Sequence, residues 1–441
     1  MAADAGVRAG GILGRILDVR PAEVAAVPWA FAYFFFLLAG YYVLRPLREE
    51  MGIRGGVETL HWSFTATFAV MLAAVPAYSA LVARVPRARA IPLVYRFFLL
   101  NLVVFWALLR AGFAPEWTAR AFFVWVSVYN LFVVSVFWSF MADLFTAPQA
   151  KRLFGFVAAG GSLGAIAGFA AVAVLARPLG AANLVLVSAA LLEIATRCAG
   201  RLAAWARTAG EGGAEQRPAD AGLGGGALAG FRETLRSPYL LAIAAHQLLF
   251  SLGATFLYFQ LARVVAASIP DSARRTALFA AVDLAVNVGA LATQALATGR
   301  IVAGLGLGAA LGVVPVLSAA GFVAVAAAPT LWVLGGFQAL RRAVHFAVDR
   351  PAREVLFTVV PREAKYKAKS FIDTFVYRGA DALAGWSQAA LVSAGLGIAG
   401  LAVAALPIAG ASLAVAGWLA RRERALEKRG GDSPQVDAVT T

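Results

Sequence analysis

Residues 301–325 read IVAGLGLGAALGVVPVLSAAGFVAV, an apolar run without one charged side chain. A helix rises about 1.5 Å per residue, so a run of this length covers a hydrocarbon core of roughly 30 Å. Lipid offers the backbone no hydrogen-bond partners, which leaves helices or closed barrels as spanning structures, and the run lacks the apolar/polar alternation of a barrel strand. Its glycines, Gly304, Gly306, Gly308 and Gly312, follow no strand, so a dinucleotide fingerprint or phosphate-binding loop is excluded.

Similar runs recur outward from this one. The sequence predicts spans at 24–44, 58–81, 91–112, 118–141, 153–176 and 180–196, then at 239–262, 276–297, 301–325, 329–348, 370–393 and 396–420. Of the 441 residues, 61% are hydrophobic and only 14% charged, far from the composition of a soluble domain. The reading is an all-α integral membrane protein of about twelve transmembrane helices in two six-helix halves. With the amino terminus cytoplasmic, Lys and Arg favour the inner loops roughly three to one, so both termini are expected in the cytoplasm. Most of the net charge of +15 then belongs to those loops, and no nucleic-acid partner is implied.

The expected organisation is a six-helix half at 1–206, a cytoplasmic linker at 207–238, a second half at 239–420 and a cytoplasmic tail at 421–441. Residues 207–230, RTAGEGGAEQRPADAGLGGGALAG, are rich in Gly and Ala, polar, and without apolar periodicity, as a flexible linker should be. Paired halves joined in this way suit a transporter whose halves rock about a midplane site. Gly160, Gly164 and Gly168 recur every four residues, with Gly155 and Gly161 nearby, and predict close approach of a neighbouring helix. Residues 11–19 are expected to form a short interfacial helix, and residues 1–23 carry acids and arginines before the first apolar run, so no cleavable signal peptide is expected, and no transit segment is evident.

Ionisable groups inside spans cost roughly 2.5–3.5 kcal/mol on insertion scales, so they mark function or need partners. Tyr41, Arg45 and Arg48 share one face of the first helix, as an anion-binding edge or as interfacial snorkelling arginines. Asp283, Asn287 and Gln294 form a polar stripe on helix eight, expected to face an inter-half cavity with His246 and Gln247. Arg341, His345 and Asp349 fall four apart, as do Lys365, Lys369 and Asp373, with Arg378 and Asp381 inside helix eleven. The lone cysteine, Cys198, can form no intramolecular disulfide. No metal-ligand spacing or nucleophile elbow is present and His61, His246 and His345 stand isolated, so neither catalysis nor a cofactor is expected.

Four stretches resemble one family. Residues 34–51, FFFLLAGYYVLRPLREEM, are similar to the first-helix motif of the bacterial and plastid type ATP/ADP antiporters, nucleotide transporters of major facilitator-like fold. Residues 137–168, FWSFMADLFTAPQAKRLFGFVAAGGSLGAIAG, resemble their Gly-rich fifth-helix signature. Residues 236–242, RSPYLLA, and 350–378, RPAREVLFTVVPREAKYKAKSFIDTFVYR, resemble the approach to helix seven and the alternating-lysine segment. The matches run in order from about residue 30 to about residue 395. The resemblance implies that Arg48 stands for a phosphate-contacting lysine, that Arg45 keeps the Leu-Arg arginine, and that Lys365, Lys367 and Lys369 match the lysine run. Two positions depart from it: Pro46 and Leu47 replace an Asp-Thr pair, and residues 126–136, VSVYNLFVVSV, hold Asn130 but no acid in helix four.

Together these readings predict a secondary transporter of a nucleotide or related phosphorylated anion, working by alternating access and exchange. Substrate contacts are expected from Arg45, Arg48, Lys369, Arg378, Tyr41 and Asn287, and coupling or gating from Asp283, Asp373 and Asp381. Tyr41 and Trp138 are aromatic candidates for stacking on a base, although Trp138 reads better as packing. The alternatives are a proton-coupled carrier of another anion or small solute, with Asp283 or Asp381 titrating, and a non-transporting membrane protein that keeps the fold. The expected partners are the solute and the lipid bilayer, in the plasma membrane of a bacterium.

Overall fold

The computed structural model describes Arg20 and residues 23–84, 87–208, 227–296 and 298–430. The expected interfacial helix at 11–19, most of the linker and the last residues of the tail lie outside the described residues. Every regular element among those described is helical: α1 (Ala26–Arg54), α2 (Leu60–Arg84), α3 (Arg87–Ala111), α4 (Pro115–Leu144) and α5 (Ala147–Thr208) come first. After them come α6 (Ala227–Arg236), α7 (Pro238–Ser268), α8 (Ser272–Leu296), α9 (Thr298–Ala327), α10 (Leu331–Val344), α11 (Arg350–Leu356), α12 (Arg362–Phe371), α13 (Tyr377–Ser393) and α14 (Ile398–Gly430). Two π-helical segments, His345–Asp349 and Ile372–Val376, join α10 to α11 and α12 to α13 without a break.

Nine helical segments among the described residues are long and apolar enough to cross a membrane. One of them, Arg152–Thr208, is 57 residues long, ample for two crossings of about 20 residues each. Its two passes meet at Gly180, whose φ of 72° breaks the helical path just after Pro178. Only glycine adopts that backbone cheaply, so the reversal is written at one position. The run at 301–325 is likewise broken, by Gly306 at φ 78°, and the apolar span proper is Gly306–Ala327. The continuous runs α10 to α11 and α12 to α13 carry the charged residues that lower their hydropathy.

Several helices outrun their expected ends. The first span, expected at 24–44, extends as α1 to Arg54, because Pro46 is accommodated within the helix and Arg48, Glu49 and Glu50 find partners there. The end of the linker is a helix, α6, not coil. Thr234 Oγ1 donates to Gly230 O at 2.7 Å, and a Cβ at Gly230 would come within 2.5 Å of Lys367 O, so α6 lies directly on α12. Helix α14 continues through Arg421, Arg422, Glu423 and Arg424 to Gly430.

The chain forms two compact units. Unit 1 takes in Met1–Gly55, Ala73–Pro218 and Asp271–Leu284, and unit 2 takes in Gly56–Leu72, Ala219–Pro270 and Ala285–Thr441. Thus α2 and α8 each begin in one unit and end in the other. Unit 1 is built on α1 against α5. A Cβ at Gly160 would stand 2.7 Å from Phe31 O and one at Gly168 2.6 Å from Ala39 O, so the glycine spacing sets this approach. The second pass of α5 lies on α1 too, where Ser188 Oγ donates to Gly40 O at 2.9 Å. Tyr33, Tyr95 and Tyr129, on α1, α3 and α4, are fully buried, and the Tyr33 and Tyr95 hydroxyls meet at 2.5 Å.

Just before α1, Glu23 is buried and receives Arg152 Nη2 at 2.8 Å and the Arg20 amide at 3.0 Å. Burial pushes this carboxyl up. The hydrogen bonds from Arg152, Arg20 and Gln149 and the Arg152 charge outweigh it, and Glu23 is held below its ordinary range.

Candidate functional site

In unit 1 the three side chains predicted on one face of α1 have different surroundings. Arg45 Nε lies 3.5 Å from Asp283 Oδ2 of α8, and the arginine side chain keeps 25% of its surface while the acid is buried. Arg48 is committed to packing: Nη1 bonds Glu49 at 3.0 Å, Nε donates to Phe123 O at 3.3 Å, and the guanidinium lies 3.8 Å above the Phe123 ring. A cation held by a carboxylate, a carbonyl and a π face is expensive to release. Tyr41, half-buried, has its ring 4.9 Å from Tyr42 and 6.5 Å from Tyr129, which in turn stacks on Trp125 at 5.1 Å. Trp125 Nε1 and Tyr129 Oη are buried without hydrogen-bond partners, next to this tyrosine cluster. Trp138 packs edge-on to Phe34 and Phe137.

Sequence reasoning passed over the strongest ion pair here. Glu50, fully buried at the end of α1, takes Arg275 Nε and Nη2 of α8 on its two oxygens. Glu49 and Glu50 lie beyond the expected span of 24–44 and are not singled out. The signal available was the acidic pair following Arg48 at helical register.

In unit 2 the predicted residues lie along α12, the π segment and α13. Lys369 Nζ meets Glu354 Oε2 of α11 and stands 5.8 Å from the Phe357 ring centre. Asp373, within the π segment, forms an ion pair with Arg353, Oδ1 to Nη2 at 3.2 Å. Arg378 and Asp381 pair at 3.5 Å as their i, i+3 spacing allows. Asp381 is also fixed by α7, with Ser251 Oγ and Thr255 Oγ1 donating to Oδ1 at 2.6 and 2.8 Å.

The stripe expected on helix eight does not share one environment. Asp283 is engaged by Arg45 in unit 1, while Asn287 and Gln294 belong to unit 2, where Gln294 Nε2 donates to Phe346 O at 2.9 Å. The reason is tertiary: α8 changes units between Leu284 and Ala285.

The histidines read as isolated are not. His246 Nε2 and His345 Nδ1 each face a different oxygen of Asp349, at 3.2 and 2.9 Å. Beside them Arg341 is buried on α10, donating to Ser318 Oγ at 2.9 Å and Phe250 O at 3.0 Å. His246, Phe250, Ser318, Arg341, Asp349 and Ser412 line a small cavity with room for about one water-sized molecule. Among the described residues no cluster of three or more His, Cys, Asp or Glu is arranged to hold a metal ion.

No family model matches the chain, and no curated protein matches it. Solved structures do. The POT family transporter PepTSo is similar at a TM-score of 0.60 with 14% identity, covering 92% of this chain and 98% of its own. The nucleoside transporter NupG is similar at 0.57 with 15% identity, covering 92% of this chain and 99% of its own. A bacterial homologue of the human lysosomal transporter Spinster matches at 0.50 with 14% identity over 94% of this chain. At these identities the likeness establishes the fold, a multi-pass, all-α membrane architecture of the major facilitator type.

Proposed function

We propose that this protein is a secondary transporter that carries a nucleotide or related phosphorylated anion by alternating access, through exchange. The observation that carries this reading is the Arg45–Asp283 pair. A guanidinium inside a span, still a quarter exposed, is balanced by a buried carboxylate at 3.5 Å, a separation longer than a tight charge-assisted bond. A phosphate oxygen competes well for such a fork, because arginine binds phosphate bidentately. Arg378 with the buried Asp381, at 3.5 Å, repeats the device in unit 2, and Lys369 lies against the more exposed Glu354. Each acid neutralises its base when no substrate is bound, which lowers the cost of a cation in the membrane. Tyr41 adds an aromatic surface one turn before Arg45. We place the protein in the inner membrane of a bacterium, following its Ala-rich and Arg-rich composition, with both termini cytoplasmic, following its loop charges.

A second reading, proton-coupled transport of an anion, is favoured by the buried carboxylate of Asp381 and by the histidine cluster of unit 2. Uptake of labelled ATP, ADP and other phosphorylated solutes into proteoliposomes tests both. Stimulation by the same solute inside the vesicle supports exchange. Uptake that stops when the proton gradient is collapsed, whatever is preloaded, supports coupling, and no uptake in either condition from folded protein removes the nucleotide assignment.

A further inference from the structure

Unit 2 contains a charged cluster apart from the ion pairs to which the proposed function assigns the anion. His246 on α7 and His345 in the π segment approach the same carboxylate, and the side chains of His246 and Asp349 are each only 2% exposed. An ionised carboxylate accepts and cannot donate, so each ring must turn an N–H toward it. That fixes the tautomers: His246 carries its proton on Nε2 and His345 on Nδ1. The other nitrogen of each neutral ring is then a bare lone pair. For His246 that atom, Nδ1, is buried with no hydrogen-bond partner. A buried unpartnered base is unfavourable unless it has a use.

The charges around it are arranged in balance. Asp349 offsets Arg341, whose guanidinium donates to the neutral Ser318 and Phe250 oxygens and lies 4.7 Å from the Phe250 ring centre. With both rings neutral the four groups sum to zero, and one added proton makes the cluster a monocation. The ionisable groups facing the His345 ring are Asp349 from its own segment, Arg341 from α10 and Arg353 from α11, and Tyr377 faces Arg341 from α13. Helices α9 and α14 bring Ser318 and Ser412 to the cavity, and α7 brings His246 with Phe250. The His345 ring stacks on Phe250 at 3.9 Å, which holds it in register with Asp349. Both His345 and Asp349 stand on a π turn, a geometry that recurs at functional sites because it is retained against its cost.

We infer that His246, His345 and Asp349 form a proton-loading site that takes up one proton from water, forming an N–H bond at an imidazole lone pair beside the ionised Asp349. The proton belongs to the trio as a unit, because the two rings share one counter-ion. Its positive charge offsets that of an anionic solute carried by the same protein. This rests on the ion-coupled reading of the transporter, and it places the proton on the histidines of unit 2 instead of on Asp283 or Asp381.

The chain has three histidines, so selective ¹⁵N-histidine labelling of the full protein in lipid nanodiscs resolves each imidazole, with His61 as internal reference. Between about pH 5 and about pH 8.5, the His246 and His345 signals are expected to titrate in linked steps. H345Q should leave His246 titrating in a single step at a shifted midpoint. D349N should lower both midpoints by about one pH unit or more while His61 stays in place. Rings that remain neutral throughout, or that titrate independently of each other and of D349N, overturn the site. If D349N does not fold, H246Q and H345Q carry the test alone, each read through the other ring. In liposomes with an internal pH dye, an ATP gradient that moves protons in the native protein and not in H246Q supports coupling. Linked titration without ATP-driven proton movement keeps the site and removes the ion-coupled reading for ATP.

Discussion

Glu50 has no exposed surface, and both of its carboxylate oxygens are taken by Arg275, at 2.5 and 2.7 Å, from 225 residues further along the chain. The pair ties the carboxyl end of α1 to the amino end of α8 within unit 1. Its worth lies less in net stabilisation than in what either partner costs alone.

Removing one partner leaves a buried charge uncompensated, at a cost of about 3–5 kcal/mol. Glu50→Ala is therefore expected to lower the thermal midpoint of the purified protein sharply. The double variant with Arg275→Ala should lose less than the sum of the two single variants. Additive losses in a double-mutant cycle would show that the pair is not coupled.

The α1–α5 contact depends on the absence of a Cβ. Gly164→Ala, whose added carbon would meet the Phe35 carbonyl, is expected to destabilise by about 1–3 kcal/mol. Gly155→Ala, on the same helix with nothing within 4 Å, should be neutral or slightly stabilising. Denaturant or heat unfolding in detergent compares the two.

Glu23 supplies a pH signature. Its carboxyl is held below the ordinary value of 4.5 in the folded protein. The contribution is thus present above that value and is lost as pH falls toward the folded one, because the unfolded state then binds the proton first. Glu23→Gln should be less stable than the native protein near neutrality, and the gap should narrow below about pH 4.5. Parallel melting curves across that range check the sign.

Arg45 and Lys369 should separate from Arg48 in transport. Arg45→Ala and Lys369→Ala are expected to raise the apparent KM for a phosphorylated solute by about tenfold or more, with expression intact. Arg48→Ala should lower stability as well as uptake, since Arg48 also holds Glu49 and Phe123. Equal KM values for the native protein and both Arg45 and Lys369 variants would remove those residues from the substrate path.

Membrane residence, the helical class and the glycine seam were legible in the residues, because each follows from a local rule. Backbone groups must be satisfied in lipid, and small residues four apart permit close helix contact. The charged candidates were legible as a set, since charge inside an apolar run is conspicuous. Their partners were not. Arg45 meets Asp283 only because α8 begins in unit 1, and the i, i+4 spacing that grouped Asp283 with Asn287 is silent about a change of unit between them. His246 and His345 stand 99 positions apart, and no periodicity could bring them to one carboxylate. What the sequence determined alone was the solvent and the helices, which depend on neighbours a few residues away. Which charge neutralises which was decided by tertiary structure, because in a low-dielectric interior each ion must find a counter-ion in space, wherever along the chain it lies.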